Sequence, residues 1–176
     1  MTNKRLVARA QRIQLAVFDV DGVLTDGRIY IGERGEEMKV FNILDGLGMK
    51  MLSASGVVTA LISGRKSKMV TLRAKEMGIS YPLQGISDKL DAYGKLLRKL
   101  RIAEEESSFM GDDLPDIPVL RRCGLAFSVP GAPEIVRGHA HYVTRAKGGS
   151  GAVREVCEFL MHARGTLEQQ LRPYLA

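Results

Sequence analysis

Short apolar runs alternating with amphipathic stretches predict an α/β fold: a central, mostly parallel sheet with helices on both faces. Two observations carry this. The runs at 15–18 and 58–62 are apolar, as strands covered on both faces require, and weaker runs at 107–110 and 125–129 and a last short one at 141–144 follow. The stretches at 46–55, 66–77, 89–100, 114–122 and 152–163 repeat apolar residues at helical spacing. Together they read as βαβ units.

Each segment has its own reason. Lys4, Arg5, Arg9 and Arg12 stand in a leader (1–13) without an acidic residue, which reads as a solvated amphipathic helix. Leu15-Ala-Val-Phe18 is the first strand. Residues 27–41 break the rhythm and predict a hairpin flap, its strands at 28–31 and 38–41 and its turn supplied by Gly32 and Gly35. A helix, the strand at 58–62, a second helix, a further short strand and the helix at 89–100 follow. Gly148-Gly-Ser-Gly151 lacks the spacing of a phosphate loop, and Lys147 precedes its glycines, so it reads as a flexible junction into the last helix. After Arg164 the chain is polar and reads as a tail, 165–176.

Composition narrows the function. A chain of 176 residues with 45% hydrophobic content suits one domain. Two cysteines, Cys123 and Cys157, exclude a disulfide scaffold, and no apolar run has the roughly 20 residues of a membrane span. The leader also lacks the apolar stretch of a signal peptide, so a cytoplasmic home is expected. The net charge of +6 comes mainly from the leader, and aromatic residues are 6% with no Trp, which argues against nucleic-acid binding.

The chemistry gathers where a parallel sheet puts ligands, at the carboxyl ends of its strands. The first strand is followed by Asp19-Val-Asp21-Gly-Val-Leu-Thr25, the run at 58–62 by Ser63-Gly64-Arg65, and the run at 107–110 by Gly111-Asp112-Asp113-Leu-Pro-Asp116. Asp19 and Asp21, two apart on an extended chain, share one side. Paired carboxylates repel and need a cation, a proton or both. An all-oxygen cluster suits a hard ion such as Mg²⁺, whereas His139, His141 and His162 are too dispersed for a zinc site. Any one of these aspartates alone reads as a turn former or a helix cap; their joint order is the signal.

That order resembles the haloacid-dehalogenase superfamily of phosphotransferases, over most of the chain from Ile13 to about Gly165. The resemblance implies a Rossmann-like core and a role for each motif residue. Asp19 is then the nucleophile and Asp21 the general acid and base, Ser63 binds phosphate, and Lys89 neutralises charge beside both. Mg²⁺ is held by Asp19, the Asp21 carbonyl and Asp112, with Asp113 behind it on bound water. The spacings from Asp21 to Ser63 and from Ser63 to Asp112 leave no room for the cap domain many members carry.

Further strings resemble the superfamily's branch of octulosonate 8-phosphate phosphatases: the hairpin with Gly35-Glu-Glu, Phe41-Asn before Asp45-Gly, Ile62-Ser-Gly-Arg65, Tyr142-Val-Thr-Arg145 and Gly148-Gly-Ser-Gly-Ala-Val-Arg-Glu-Val-Cys157. This implies a sugar-acid phosphate as substrate and a place in lipopolysaccharide precursor synthesis. It implies a homo-oligomer, a tetramer assembled through the hairpins. Gly64, Arg65 and Lys89 would meet the substrate, and Arg73 would meet its carboxylate from an adjacent subunit. A nonulosonate 9-phosphate phosphatase is the nearest alternative, with Arg65 as the discriminator. A non-catalytic phospho-acceptor of the receiver kind and an assembly-only relative are the others. The strand before Ser63 and the retention of Asp19, Asp21, Lys89 and Asp112 weigh against those two.

Overall fold

The computed structural model describes residues 4–175, with Glu36 and Glu37 described by backbone alone. Six strands form one sheet: β1 (Leu15–Phe18), β4 (Val58–Ser63), β5 (Tyr81–Gln84), β6 (Ser107–Met110), β7 (Leu125–Ser128) and β8 (Tyr142–Val143). Their order is β5-β4-β1-β6-β7-β8, and every pairing is parallel. All four residues of β1 are buried, because helices cover both faces of a central parallel strand.

The chain leaves β1 toward β4 and β5, then returns to β6 on the other side. Right-handed crossovers therefore put α2 (Ile43–Ala54) and α3 (Lys68–Met77) on one face. They put α4 (Lys89–Leu100) and α5 (Ile117–Leu120) on the opposite face, where the two pack together. On the first face α2 packs along α7 (Ala152–Ala163), and α1 (Lys4–Gln11) lies against α7. A short α6 (Glu134–Arg137) and a C-terminal α8 (Leu167–Leu175) complete the helices. Phe18, Leu61, Phe109, Phe127 and Tyr93 fill the core. Phe18 stands level with Leu61 and Met110, so β1, β4 and β6 deliver their next residues to one edge. The strand order reverses between β1 and β6, which makes their ends the switch point of the sheet.

Several boundaries differ from the sequence reading. The hairpin strands are β2 (Tyr30–Gly32) and β3 (Gly35–Met38), closer to the tip than expected, because Gly32 and Gly35 pair with each other and only Glu33-Arg34 turns. α2 begins earlier, since the Asn42 side chain accepts from the Leu44 N–H at 2.8 Å. The helix expected at 114–122 splits into a 3₁₀ turn (Leu114–Asp116) and α5, as Pro115 and Pro118 remove backbone donors. Residues read as a polar tail form α8, whose Leu167 and Leu171 sit one helical turn apart and pack on the core. The first three residues of the leader and the last of the tail lie outside the described residues.

Candidate active site

The site starts where β1 stops. The Asp19 N–H donates to the Met110 carbonyl at 2.9 Å, which extends the β1–β6 ladder by one residue. The chain then turns sharply: Leu24 and Thr25 donate to the Val20 carbonyl, and Thr25 Oγ1 accepts from the N–H groups of Gly22 and Gly27. Gly22 is required twice over. Its φ is +90°, and a Cβ there would stand 1.9 Å from Asp112 Oδ2. The junction at 148–151, read from sequence as flexible, instead packs beneath this turn. A Cβ on Gly148 would lie 1.8 Å from the Gly22 carbonyl oxygen, and Gly149 donates to the Val23 carbonyl. These glycines let one backbone brace another under the aspartate loop.

Lys89, first residue of α4, is 7% exposed and reaches two carboxylates: Asp19 Oδ2 at 2.9 Å and Asp116 Oδ1 at 2.6 Å. Asp116 is fully buried, and its other oxygen accepts from the N–H groups of Asp112 and Asp113 at 3.0 and 3.1 Å. Asp116 thus ties Lys89 to the loop that carries Asp112. The sequence reading gave it no role, although it belongs to the Gly111–Asp116 motif; its burial depends on the 3₁₀ turn that folds it back.

One oxygen each of Asp19, Asp112 and Asp116 lies within 4.8 Å of the others. Asp116 already spends both oxygens on Lys89 and backbone, whereas Asp112 Oδ1 is buried with no partner. Beside a second carboxylate, such an oxygen is free to accept from water or to ligate a cation. Burial above all, with repulsion from Asp116, pushes Asp19 up to about 7 despite Lys89. Burial, then the charges of Asp19 and Asp116, push Asp112 to about 7 as well. Burial also disfavours the Lys89 ammonium, but the two carboxylates outweigh it and hold its pKa above the ordinary value. Negative charge exceeds positive here, and the oxygen-only donors Asp19 and Asp112 fit Mg²⁺.

A pH dependence follows with a definite sign. Asp19 and Asp112 hold protons more tightly folded than unfolded, so without a divalent ion stability falls as pH rises from about 4 through 7. Mg²⁺ should raise the melting temperature at about pH 8 and have little effect at about pH 5. A shift of equal size at both values would contradict this.

The remaining site residues surround a cleft of about 440 Å³ lined by Asp19, Asp21, Ser63, Gly64, Arg65, Lys89, Asp112 and Asp113. Ser63 is buried at the end of β4, and its Oγ accepts from the Arg65 N–H. Arg65 is half exposed, its Nε 4.0 Å from Asp21 Oδ2. Asp21 Oδ1 is paired with Lys39, a buried lysine at the base of the hairpin that the sequence reading missed. Asp113 is exposed and caps the 3₁₀ turn, its Oδ1 accepting from the Leu114 N–H. Arg73 is not brought here. It lies on α3 with its guanidinium on the Asn42 carbonyl and on Glu76, beside the Phe41 ring.

Comparison with known proteins gives this arrangement relatives. The model of the haloacid dehalogenase-like hydrolases matches residues 83–156. The 3-deoxy-D-manno-octulosonate 8-phosphate phosphatase of Escherichia coli K12 is 47% identical over 164 residues, which cover 93% of this chain and 87% of that protein. The chain belongs to this phosphatase family. A family structure from Moraxella catarrhalis, in complex with magnesium, phosphate and 3-deoxy-D-manno-octulosonate, superimposes with a TM-score of 0.95 at 42% identity over 99% of both chains. A cobalt-bound family structure from Haemophilus influenzae gives 0.89 at 33% identity, covering 93% of this chain and 99% of that one. Membership brings the superfamily expectation and the six-stranded parallel sheet into agreement.

Proposed function

We propose that this chain is a Mg²⁺-dependent phosphatase that hydrolyses 3-deoxy-D-manno-octulosonate 8-phosphate to the free sugar acid and phosphate, a step in making a lipopolysaccharide precursor. One observation carries the reading. Buried Asp19 and half-buried Asp112, whose Oδ1 has no partner, share a cleft with Asp21, two residues beyond Asp19.

Asp19 attacks phosphorus, and the bond from phosphorus to the sugar's 8-oxygen breaks. Asp21, protonated, gives its proton to the departing oxygen, leaving an aspartyl-phosphate on Asp19. Asp21 then takes a proton from water as that water attacks phosphorus, which releases phosphate and frees Asp19. Lys89 orients Asp19 through Oδ2 and offsets the repulsion between carboxylate and phosphate. The Ser63 hydroxyl donates to a phosphoryl oxygen. Asp19, Asp112 and the Asp21 carbonyl hold Mg²⁺, whose charge stabilises the transferring phosphoryl group. Asp113 orients water around it.

Arg65 and Gly64 face the sugar, and a guanidinium at the cleft suits its hydroxyls and carboxylate. Arg65→Glu should lower kcat/KM for the octulosonate ester at least about tenfold more than for a generic aryl phosphate. Equal losses would remove Arg65 from specificity.

Ile31, Met38 and Val40 of the hairpin region, with Ile43 and Leu44 at the start of α2, form an exposed apolar surface. Its occupant is a second copy of the chain, in a homotetramer that closes the open cleft and brings Arg73 to a neighbour's substrate. Sedimentation should return that assembly, and a fully active monomer would contradict it. Among the described residues no helix is long and apolar enough to cross a membrane. Buried free thiols at Cys123 and Cys157 support a cytoplasmic location.

A further inference from the structure

Around residue 39 the usual pattern is reversed. Met38 and Val40 are 54% and 52% exposed, while the Lys39 side chain between them is 1% exposed. A lysine on a solvent-facing hairpin normally carries its ammonium into water. This one turns inward to Asp21 Oδ1. Among the described residues that line the cleft Lys39 is absent, and its ion pair with Asp21 connects it to the reaction. The other Asp21 oxygen faces Arg65. One oxygen of this carboxyl group is held by Lys39, and the other lies beside Arg65, a residue of the cleft.

We propose that Lys39 is a positioning residue: by holding one oxygen of Asp21 it presents the other to the oxygen departing from phosphorus. The inference rests on the reading of Asp21 as the general acid. Without the grip, Asp21 gains rotamers that do not point at the leaving oxygen, and proton delivery slows. The loss therefore depends on the leaving group. A sugar alkoxide needs a proton in order to leave, and a nitrophenolate does not. A residue with a merely structural role would impair both alike.

The experiment compares kcat/KM, which reports all steps through departure of the leaving oxygen, for the octulosonate 8-phosphate and for 4-nitrophenyl phosphate, both with Mg²⁺. Lys39→Met should lose about 10- to 100-fold on the sugar ester and no more than about threefold on the aryl ester. In an Asp21→Asn background Lys39→Met should add no further loss on the sugar ester. Should Lys39→Met not fold, Lys39→Gln should shift the ratio in the same direction. Equal losses on both esters, no loss, or a full additive loss beside Asp21→Asn would overturn the proposal. Failure of the substrate reading is separate: the unmodified protein would be inactive on the octulosonate ester. Glycerol phosphate would then replace it as the alkyl substrate, with the same outcomes.

Discussion

Asp19→Asn is expected to abolish turnover, by about 10⁴-fold or more, because an amide cannot form the acyl-phosphate bond. The fold should survive. Asn matches Asp in size, and the replaced group is one whose ionisation burial already opposes. At about pH 8 without a divalent ion, the variant should melt no lower than the parent, since a neutral side chain relieves the repulsion from Asp116. The measurement is phosphate release beside a thermal melt of the same preparation. An inactive, intact protein is the predicted pair of results. Undiminished turnover would remove Asp19 as nucleophile.

Lys89→Met is expected to damage both stability and activity. Its ammonium is the shared partner of Asp19 and Asp116, and the latter is fully buried. Removing one partner from a buried charge network costs about 3–5 kcal/mol, because the carboxylates keep their desolvation without its compensation. Activity should fall by about 10³-fold, since Asp19 loses its orientation and phosphate loses a countercharge. Adding Asp116→Asn should recover part of the stability and little of the activity. Denaturation by urea and steady-state kinetics on the single and double variants check this. Recovery of activity with stability would mean that Lys89 serves the fold alone.

Much of this molecule could be read from its chain because local pattern and final burial agree. Leu15-Ala-Val-Phe18 is apolar on both sides and is covered on both sides. Asp19, Asp21, Ser63, Lys89 and Asp112 reach one cleft because each follows or opens an element that the parallel sheet aligns. What escaped the reading depends on contacts far apart in sequence. Gly148 resembled a loose joint until its approach to Gly22 gave it a reason. Lys39 stands between the apolar Met38 and Val40, an alternation that assigns the two apolar side chains to the interior and the lysine to solvent, and the structure reverses both. Asp116 looked like a third acid in an acidic loop, and its burial follows from a proline-bounded turn. The hairpin turned on the residues between its glycines, a register that composition leaves open.

The central claim joins a mechanism to a substrate, and one comparison addresses both: phosphate release with Mg²⁺ from 3-deoxy-D-manno-octulosonate 8-phosphate and from a sialic acid 9-phosphate, side by side, with and without EDTA. The account predicts a kcat/KM at least about 100-fold higher for the octulosonate ester, abolished by EDTA and restored by added Mg²⁺. A preference for the nine-carbon ester, or release that EDTA leaves untouched, would contradict it.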